Sequence, residues 1–474
     1  MSDAHQSAAR QSAALQQPAA PHSPADAATH APGGSTPPPE QPVASHVLSG
    51  ITRIVVVLGV IALFTDMSSE MIMPLRLLLF VQVLGTPLAV AGLIEGIAES
   101  ATSVLRLVSG RLADRFGDQR WLVIAGYTVS NLSKPLLALV SNWPLALGLV
   151  LVDRSGKSVR GSPRDAMIAA SVAPEQRGKA FGFHRSADTL GAAIGPLLAI
   201  AILSATGNSL RAVFAWTLVP GLLAILCAVV FLLRDPALRG RPLGVTGVTG
   251  AAKPASITTG ATVGDAATPP ARAWQGLGAR FWLFLVIATI FALGNSSDAF
   301  LFLRTEGLES SLLAVPAVYF GFNIIYALLA TPLGSLSDRF GRLPMLAVGY
   351  ATFTVVYFGW TRATAPWQVW ELFLLYGVYY AATEGVARAF VTDLVPKAKR
   401  GTALGWFGAA TGLAALPANV LAAALWSRLG PGVTFGLGAW LGAIALGMLV
   451  AWWPWLRQNP IPWPDDPAPP KREP

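Results

Sequence analysis

The sequence predicts an all-α membrane protein: twelve transmembrane helices arranged as two pseudo-symmetric six-helix bundles. Three observations predict it. Apolar runs near 20 residues recur along a chain that is 53% hydrophobic and only 12% charged, and about 20 such residues cross a hydrocarbon core roughly 30 Å thick. In lipid every backbone polar group needs an internal partner, so these runs should be helices. Second, the octet Gly110-Arg-Leu-Ala-Asp114-Arg115-Phe-Gly117 returns 224 residues later as Gly334-Ser-Leu-Ser-Asp338-Arg339-Phe-Gly341, each copy at a seam between two apolar runs. Third, lysine and arginine gather on alternate loops.

Residues 1–49 are rich in Ala, Pro, Ser, Gln and His with few large apolar side chains, a composition that cannot bury a core and predicts a disordered tail. Four of the five histidines (His5, His22, His30 and His46) lie there and read as solvated rather than metal-binding. No charged stretch followed by a short apolar one opens the chain, so no cleaved signal peptide is expected. Six spans then follow within 50–233, at about 54–80, 88–108, 121–141, 144–165, 180–204 and 212–233. The Gly-, Thr-, Ala- and Pro-rich stretch 234–279 reads as a flexible linker. Six more spans fill 280–456, at about 280–303, 312–333, 343–361, 367–391, 402–424 and 433–453, and 457–474 forms a second tail. The lone Cys227 sits in an apolar run and excludes an internal disulfide.

One set of loops holds Arg111, Arg115, Arg120, Arg177, Lys179, Arg339, Arg342, Lys397, Lys399 and Arg400; the opposite set holds only Arg211, Arg362, Arg428 and a few residues near Arg304. That bias places both termini in the cytoplasm of a multi-pass plasma-membrane protein, the bacterial inner membrane. It also accounts for the net charge of +9 without nucleic acid, for which no basic stripe with interleaved aromatics appears.

The repeat extends beyond the octet. Ser68-Ser69-Glu70 with Arg76 six residues on matches Ser296-Ser297-Asp298 with Arg304 six on, and Gly161-Ser-Pro-Arg164 matches Gly385-Val-Ala-Arg388. Arg177-Gly178-Lys-Ala-Phe-Gly182 matches Arg400-Gly401-Thr-Ala-Leu-Gly405. These offsets run in one order, which implies parallel halves around a central cavity. The doubled octet resembles the signature loop between helices 2 and 3 of the major facilitator superfamily. The resemblance implies that fold, and it implies that Gly110, Asp114, Arg115 and Gly117, with Gly334, Asp338, Arg339 and Gly341, form a gate. Arg342 fits the family's basic residue after the second glycine; Asp118 does not.

Charges inside the spans carry the chemistry. Asp66 and Glu70, and likewise Glu95 and Glu99, stand four apart, so each pair shares a helix face. At about 1.5 Å per residue, Asp66, Glu99, Asp153, Arg154 and Asp188 all fall about 14–18 Å into their spans. Charge at that depth costs at least about 2.5–3.5 kcal/mol per residue unless paired or wet, so five of them argue for a polar cavity. The run Asp153-Arg154-Ser-Gly-Lys157-Ser-Val-Arg160-Gly-Ser-Pro-Arg164-Asp165 resembles the family's helix-4 motif, in which Arg154 takes the place of the arginine linked to proton coupling. Lys157 and Arg160 depart from that motif's glutamine and glycine. In the next span, Gly182, Gly191, Gly195 and Pro196 resemble the family's antiporter motif, with Ala199 where a final glycine is usual. His184, Arg185 and Asp188 lie on the same span, and a proton relay or a static salt bridge fits them equally.

The carboxyl half lacks these charges: Phe407, Gly408 and Thr411 stand where His184, Arg185 and Asp188 do, and Tyr319 and Asn323 where Glu95 and Glu99 do. Proton coupling is therefore expected in the amino half. Substrate selectivity is expected from Asn323, Tyr326, Tyr379, Tyr380, Glu384, Arg388, Trp406 and Asp298, with Arg76 and Arg304. The expected activity is proton-coupled antiport of a small organic or amphiphilic solute by a functional monomer, with the proton gradient as driving force and no cofactor or metal. Three readings stay open beside it: uptake of an organic acid held by Arg154, Arg76 and Arg304, lipid transport, and a non-transporting sensor. No Gly-x4-Gly-Lys-Ser/Thr loop points to ATP, and one cysteine with one membrane histidine assembles no enzyme site.

Overall fold

The computed structural model describes residues 51–115, 119–173, 176–234, 276–309, 311–396 and 399–458, without the side chains of 106–115, 178 and 457. Both tails, nearly all of the linker, and Gly117 of the first octet lie outside them. The described chain is nearly all helix. In order it forms α1 (Arg53–Glu70), α2 (Leu88–Arg115), α3 (Gln119–Leu136), α4 (Trp143–Ser171), α5 (Arg177–Ala205) and α6 (Leu218–Cys227). Then come α7 (Gly278–Gly294), α8 (Ala314–Phe340), α9 (Arg342–Arg362), α10 (Pro366–Asp393), α11 (Arg400–Leu429) and α12 (Pro431–Gln458).

Among the described residues ten helical segments are long and apolar enough to cross a membrane. The two long helices outside that set are α4 and α10, 29 and 28 residues long. They carry six and four charged side chains, which lowers their hydropathy while leaving them packed among the rest. α1 packs on α5 and α6, and α4 on α2 and α3. In the second set α9 packs on α10 and α12, α8 on α10, and α7 on α11 and α12. The two sets meet where α2 lies along α11 and α5 along α8.

Helix association in lipid relies on close packing rather than on hydrophobic transfer, because lipid tails are as apolar as leucine. Both halves achieve that closeness through glycines, and the carboxyl half adds stacked rings. α3 crosses α4 through Gly126 and Gly156, where an added Cβ would stand 2.8 Å from the Gly156 carbonyl and 2.7 Å from the Gly126 carbonyl. The carboxyl half packs Gly294 of α7 on Gly438 of α12, where an added Cβ would stand 2.9 Å from the Gly438 carbonyl, and stacks Phe291 of α7 on Tyr350 of α9 at 3.9 Å. Offset ring pairs of this kind add about 0.5–1.5 kcal/mol beyond area burial.

Three spans expected to be continuous helices are broken, the sixth at Thr217, between Leu210–Trp216 and α6. α1 ends at Glu70, and the chain passes through a short 3₁₀ turn, Met73–Leu75, before helical geometry resumes. Pro74 supplies the cause, since it has no N–H for the helical ladder. α7 stops at Gly294 and a second helical piece, Ala299–Leu308, follows the non-helical Asn295–Ser297. There the side-chain carbonyl of Asn419 accepts from the freed Ser297 N–H at 2.7 Å. Non-helical backbone at membrane depth persists only where protein or water satisfies it.

Candidate functional site

α2, α7, α10 and α11 enclose a cavity of about 650 Å³, within the range of small-molecule sites. The break in α7 delivers Asn295, Ser296, Ser297 and Asp298 to its wall; Glu99 and Ser103 come from α2, Tyr380 and Arg388 from α10, Thr411 and Asn419 from α11. Phe407, Gly408 and Thr411, the counterparts of the charged trio on α5, also line it. The cavity reaches toward the end of the bundle that carries the Gly-Asp-Arg-Gly octets, where Arg388 and Leu404 line it. At that end Gly401, Gly405 and Gly408 on α11 face open space. At the cavity wall the halves touch: Ser100 donates to the Gly412 carbonyl at 2.9 Å, and a Cβ on Gly412 would lie 1.8 Å from the Ser103 hydroxyl. Toward the far end they touch again, where a Cβ on Gly92 would lie 2.4 Å from that of Ala423.

Asp298 accepts from the Tyr376 hydroxyl at 2.7 Å and from the Tyr380 hydroxyl at 3.1 Å. Asn295 donates to the Tyr379 hydroxyl at 3.1 Å and accepts from Tyr357 and Tyr376 at 3.3 Å each. The broken segment is thus held by a lattice of phenols, which sequence pattern alone does not reveal. Tyr326 donates to Glu384 at 2.7 Å, and Arg388 bonds the other Glu384 oxygen at 3.4 Å. Arg185, across on α5, interacts with Tyr326 and Glu384 and so joins the halves electrostatically.

The other selectivity candidates fall elsewhere. Arg76 is locked to buried Glu95 in a two-pronged ion pair. Arg304 donates to the Ala363 carbonyl at 2.7 Å. Asn323 bonds back to Tyr319 within its own helix, and Trp406 packs against Trp282 at 5.8 Å. None of the four lines the cavity, nor do Tyr326, Tyr379 and Glu384; of the expected set Asp298, Tyr380 and Arg388 do.

In the amino half, α1, α3, α4 and α5 bring together Asp66, Glu70, Lys134, Asp153, Lys157 and Asp188, which interact electrostatically. Small residues make this possible. A Cβ on Gly191 would stand 2.3 Å from the Leu63 carbonyl and 3.2 Å from the Asp66 Cβ. One on Gly195 would stand 2.9 Å from both the Met67 carbonyl and the Glu70 Cβ. Gly182, the first glycine of that series, meets open space, and Pro196 lies inside the helix. Asp153 accepts from the Ser130 hydroxyl at 2.6 Å, and His184 Nδ1 lies 3.7 Å from Asp188, which also has Arg185 at 4.0 Å. Among the described residues Arg154 Nε and His184 Nε2 are buried without a hydrogen-bond partner.

Lys134 was not legible as a site residue. It is 1% exposed, donates to Asn131 Oδ1 at 3.0 Å and reaches the Thr65 carbonyl at 3.4 Å. The available signal was a lysine inside an apolar run. Glu70 makes the one direct acid contact between the halves that is described: its carboxylate accepts from the Tyr319 hydroxyl on α8 at 2.5 Å.

Of the gate octets, the first contributes the end of α2, where Gly110, Asp114 and Arg115 are helical. In the second, α8 runs through Gly334, Asp338 and Arg339 and stops at Gly341, whose φ of +98° a side chain would resist. Arg342 then bridges Asp338 at 3.6 Å and Asp393 of α10 at 3.1 Å.

This architecture has relatives. The family model described as Major Facilitator Superfamily matches residues 58–322 and 305–473. An uncharacterized MFS-type transporter of Methanocaldococcus jannaschii is 32% identical over 406 residues, covering 84% of this chain and 94% of that one. The Multidrug resistance protein MdtH of Photorhabdus laumondii is 29% identical over 147 residues, 31% of this chain and 34% of its own length. The crystal structure of nucleoside transporter NupG shares the fold with a TM-score of 0.64 at 13% identity, over 85% of this chain and 99% of that one. The chain therefore belongs to the Major Facilitator Superfamily and is a multi-pass membrane transporter rather than an enzyme.

Proposed function

We propose that the protein exports a small organic or amphiphilic solute in exchange for protons, by alternating access. The hydrogen bond from Tyr319 to Glu70 carries this reading, because it ties an acid of the amino-half cluster to the opposite half. A hydrogen bond to an ionised group is about twice as strong as one between neutral groups. Protonating Glu70 weakens that tie, so the halves part at the far end; deprotonation restores it. Asp66, Lys157 and Lys134 interact with the same acid and hold the displaced charge within one polar cluster, which Asp188 joins through Asp66.

Two further observations support export. The Gly191 and Gly195 packing seats α5 on the acids of α1, where the resemblance to an antiporter motif placed it. The matching segment of MdtH belongs to a multidrug resistance protein. Basic loops at the octet end put that end in the cytoplasm, with both termini, so the cavity faces inward and loads from inside. Uptake of an organic acid needs Arg76, Arg154 and Arg304 at the solute, and none of them lines the cavity. The protein works in this reading as a monomer in the bacterial inner membrane, with the proton gradient in place of a cofactor.

The test compares solute accumulation in cells making the intact protein or its Glu70→Gln variant, over a broad panel, with and without a protonophore. Lower accumulation that needs both Glu70 and the gradient is the expected result. Higher accumulation under the same conditions reverses the direction, and indifference to the protonophore removes proton coupling.

A further inference from the structure

The charge on the cavity walls goes beyond transport as such, to the kind of solute carried; the inference rests on the cavity being the solute site. Two acids face it from opposite halves, Glu99 on α2 and Asp298 at the break of α7. They lie close enough to interact electrostatically. Among the described residues neither has a basic group within ion-pair distance, and Glu99 makes no hydrogen bond to another described side chain. Among the described residues the one base on the wall, Arg388, is paired with Glu384 at 3.4 Å, so its charge is offset. Arg76, which lies off the wall and interacts electrostatically with Glu99, is held by Glu95 in a two-pronged pair.

Like charges facing one desolvated space repel, and a cation between them converts repulsion into two attractions. The Asp298 carboxylate has accepted three contacts from the Tyr376 and Tyr380 hydroxyls. A carboxylate has about four lone-pair sites, so it retains capacity for a solute donor. The Tyr380 ring, on the same wall, offers a face that attracts ammonium groups. Ser103, Ser296 and Thr411 add hydroxyls around it. The volume of about 650 Å³ suits an organic molecule and far exceeds a bare ion.

From this juxtaposition we infer that the transported solute is a polar organic cation, an amine or quaternary ammonium, held between Glu99 of one half and Asp298 of the other. Each half contributes one acid, so the solute itself bridges the halves as they rock.

Binding of radiolabelled choline and spermidine, with benzoate as anionic control, is measured by equilibrium dialysis on the full chain in nanodiscs of uncharged lipid. The intact protein, Glu99→Gln, Asp298→Asn and the double variant are compared, with elution as a monodisperse peak as the folding check. At least one cation should bind, at least about tenfold more weakly to each single variant, while benzoate does not; tenfold corresponds to about 1.4 kcal/mol. Glu99 is exposed in the cavity, so Glu99→Gln keeps the test decisive even where Asp298→Asn fails to fold. Binding of neither cation, cation binding indifferent to Glu99→Gln, or preferential benzoate binding overturns the inference. The transport reading is judged separately by exchange of the accumulation-panel solutes in proteoliposomes. Movement of an anionic or neutral solute alone sinks only the cation assignment. Glu99-dependent cation binding with no solute movement sinks the transport reading, and with it the cation's role as transported solute, and leaves only the cation-binding site standing.

Discussion

Glu95→Ala is expected to lower the stability of the protein by about 3–5 kcal/mol, the cost of leaving one member of a buried ion pair alone. Glu95 is 2% exposed and both of its oxygens bond the Arg76 guanidinium, which is itself 12% exposed. Removing the acid strands a charge at the junction of α2 with the segment following α1. Asp153 and Glu99 also act on Arg76, which sets the lower end of the range. Thermal unfolding in detergent reads the loss directly. Replacing both members, Glu95→Met with Arg76→Met, should recover most of it, because a buried pair gains little over well-packed apolar groups. If the single and double variants unfold alike, the ion pair is not what holds this junction.

Gly191→Val has the second large effect. Any Cβ here meets the Leu63 carbonyl at 2.3 Å, and backbone cannot rotate away as a side chain does. α5 must lift from α1, at a cost of about 1–3 kcal/mol or more. The displacement also pulls Asp66 and Glu70 out of register with Lys134 and Asp188, so transport should fall further than stability does. Gly182→Val is the control on the same helix: it meets open space and should change unfolding by a few tenths of a kcal/mol. Equal effects at the two glycines would show that helix propensity, not contact with α1, sets the requirement.

The fold was legible because its constraint is one-dimensional. Length and hydropathy set the spans, and the octet, with Ser68-Ser69-Glu70 answering Ser296-Ser297-Asp298, marked the duplication. The sites were legible only as far as helix depth reaches. Asp66, Asp153 and Asp188 do gather, since residues at one depth on neighbouring helices meet. Glu95 and Glu99 share a helix and a spacing yet part company, because Arg76 returns from the broken first span to claim the first and leaves the second on the cavity wall. Lys134 finds its partners on α1 and its own helix, and no local pattern announces them. The same holds for Tyr376, whose importance comes from Asp298 being turned out of a helix 78 residues earlier. Tertiary neighbours, rather than spacing, decided each of these.

The most direct test of alternating access is to fasten the far end shut. A Cβ on Gly92 would lie 2.4 Å from that of Ala423 in the opposite half, while a disulfide needs about 3.8 Å. A shift of about 1.4 Å therefore suffices for Gly92→Cys and Ala423→Cys to join. With Cys227→Ser removing the native thiol, transport of the solute identified by the accumulation panel is measured in proteoliposomes before and after oxidation. The account predicts that oxidation stops transport and that reductant restores it. Undiminished transport by the fully cross-linked protein would contradict it.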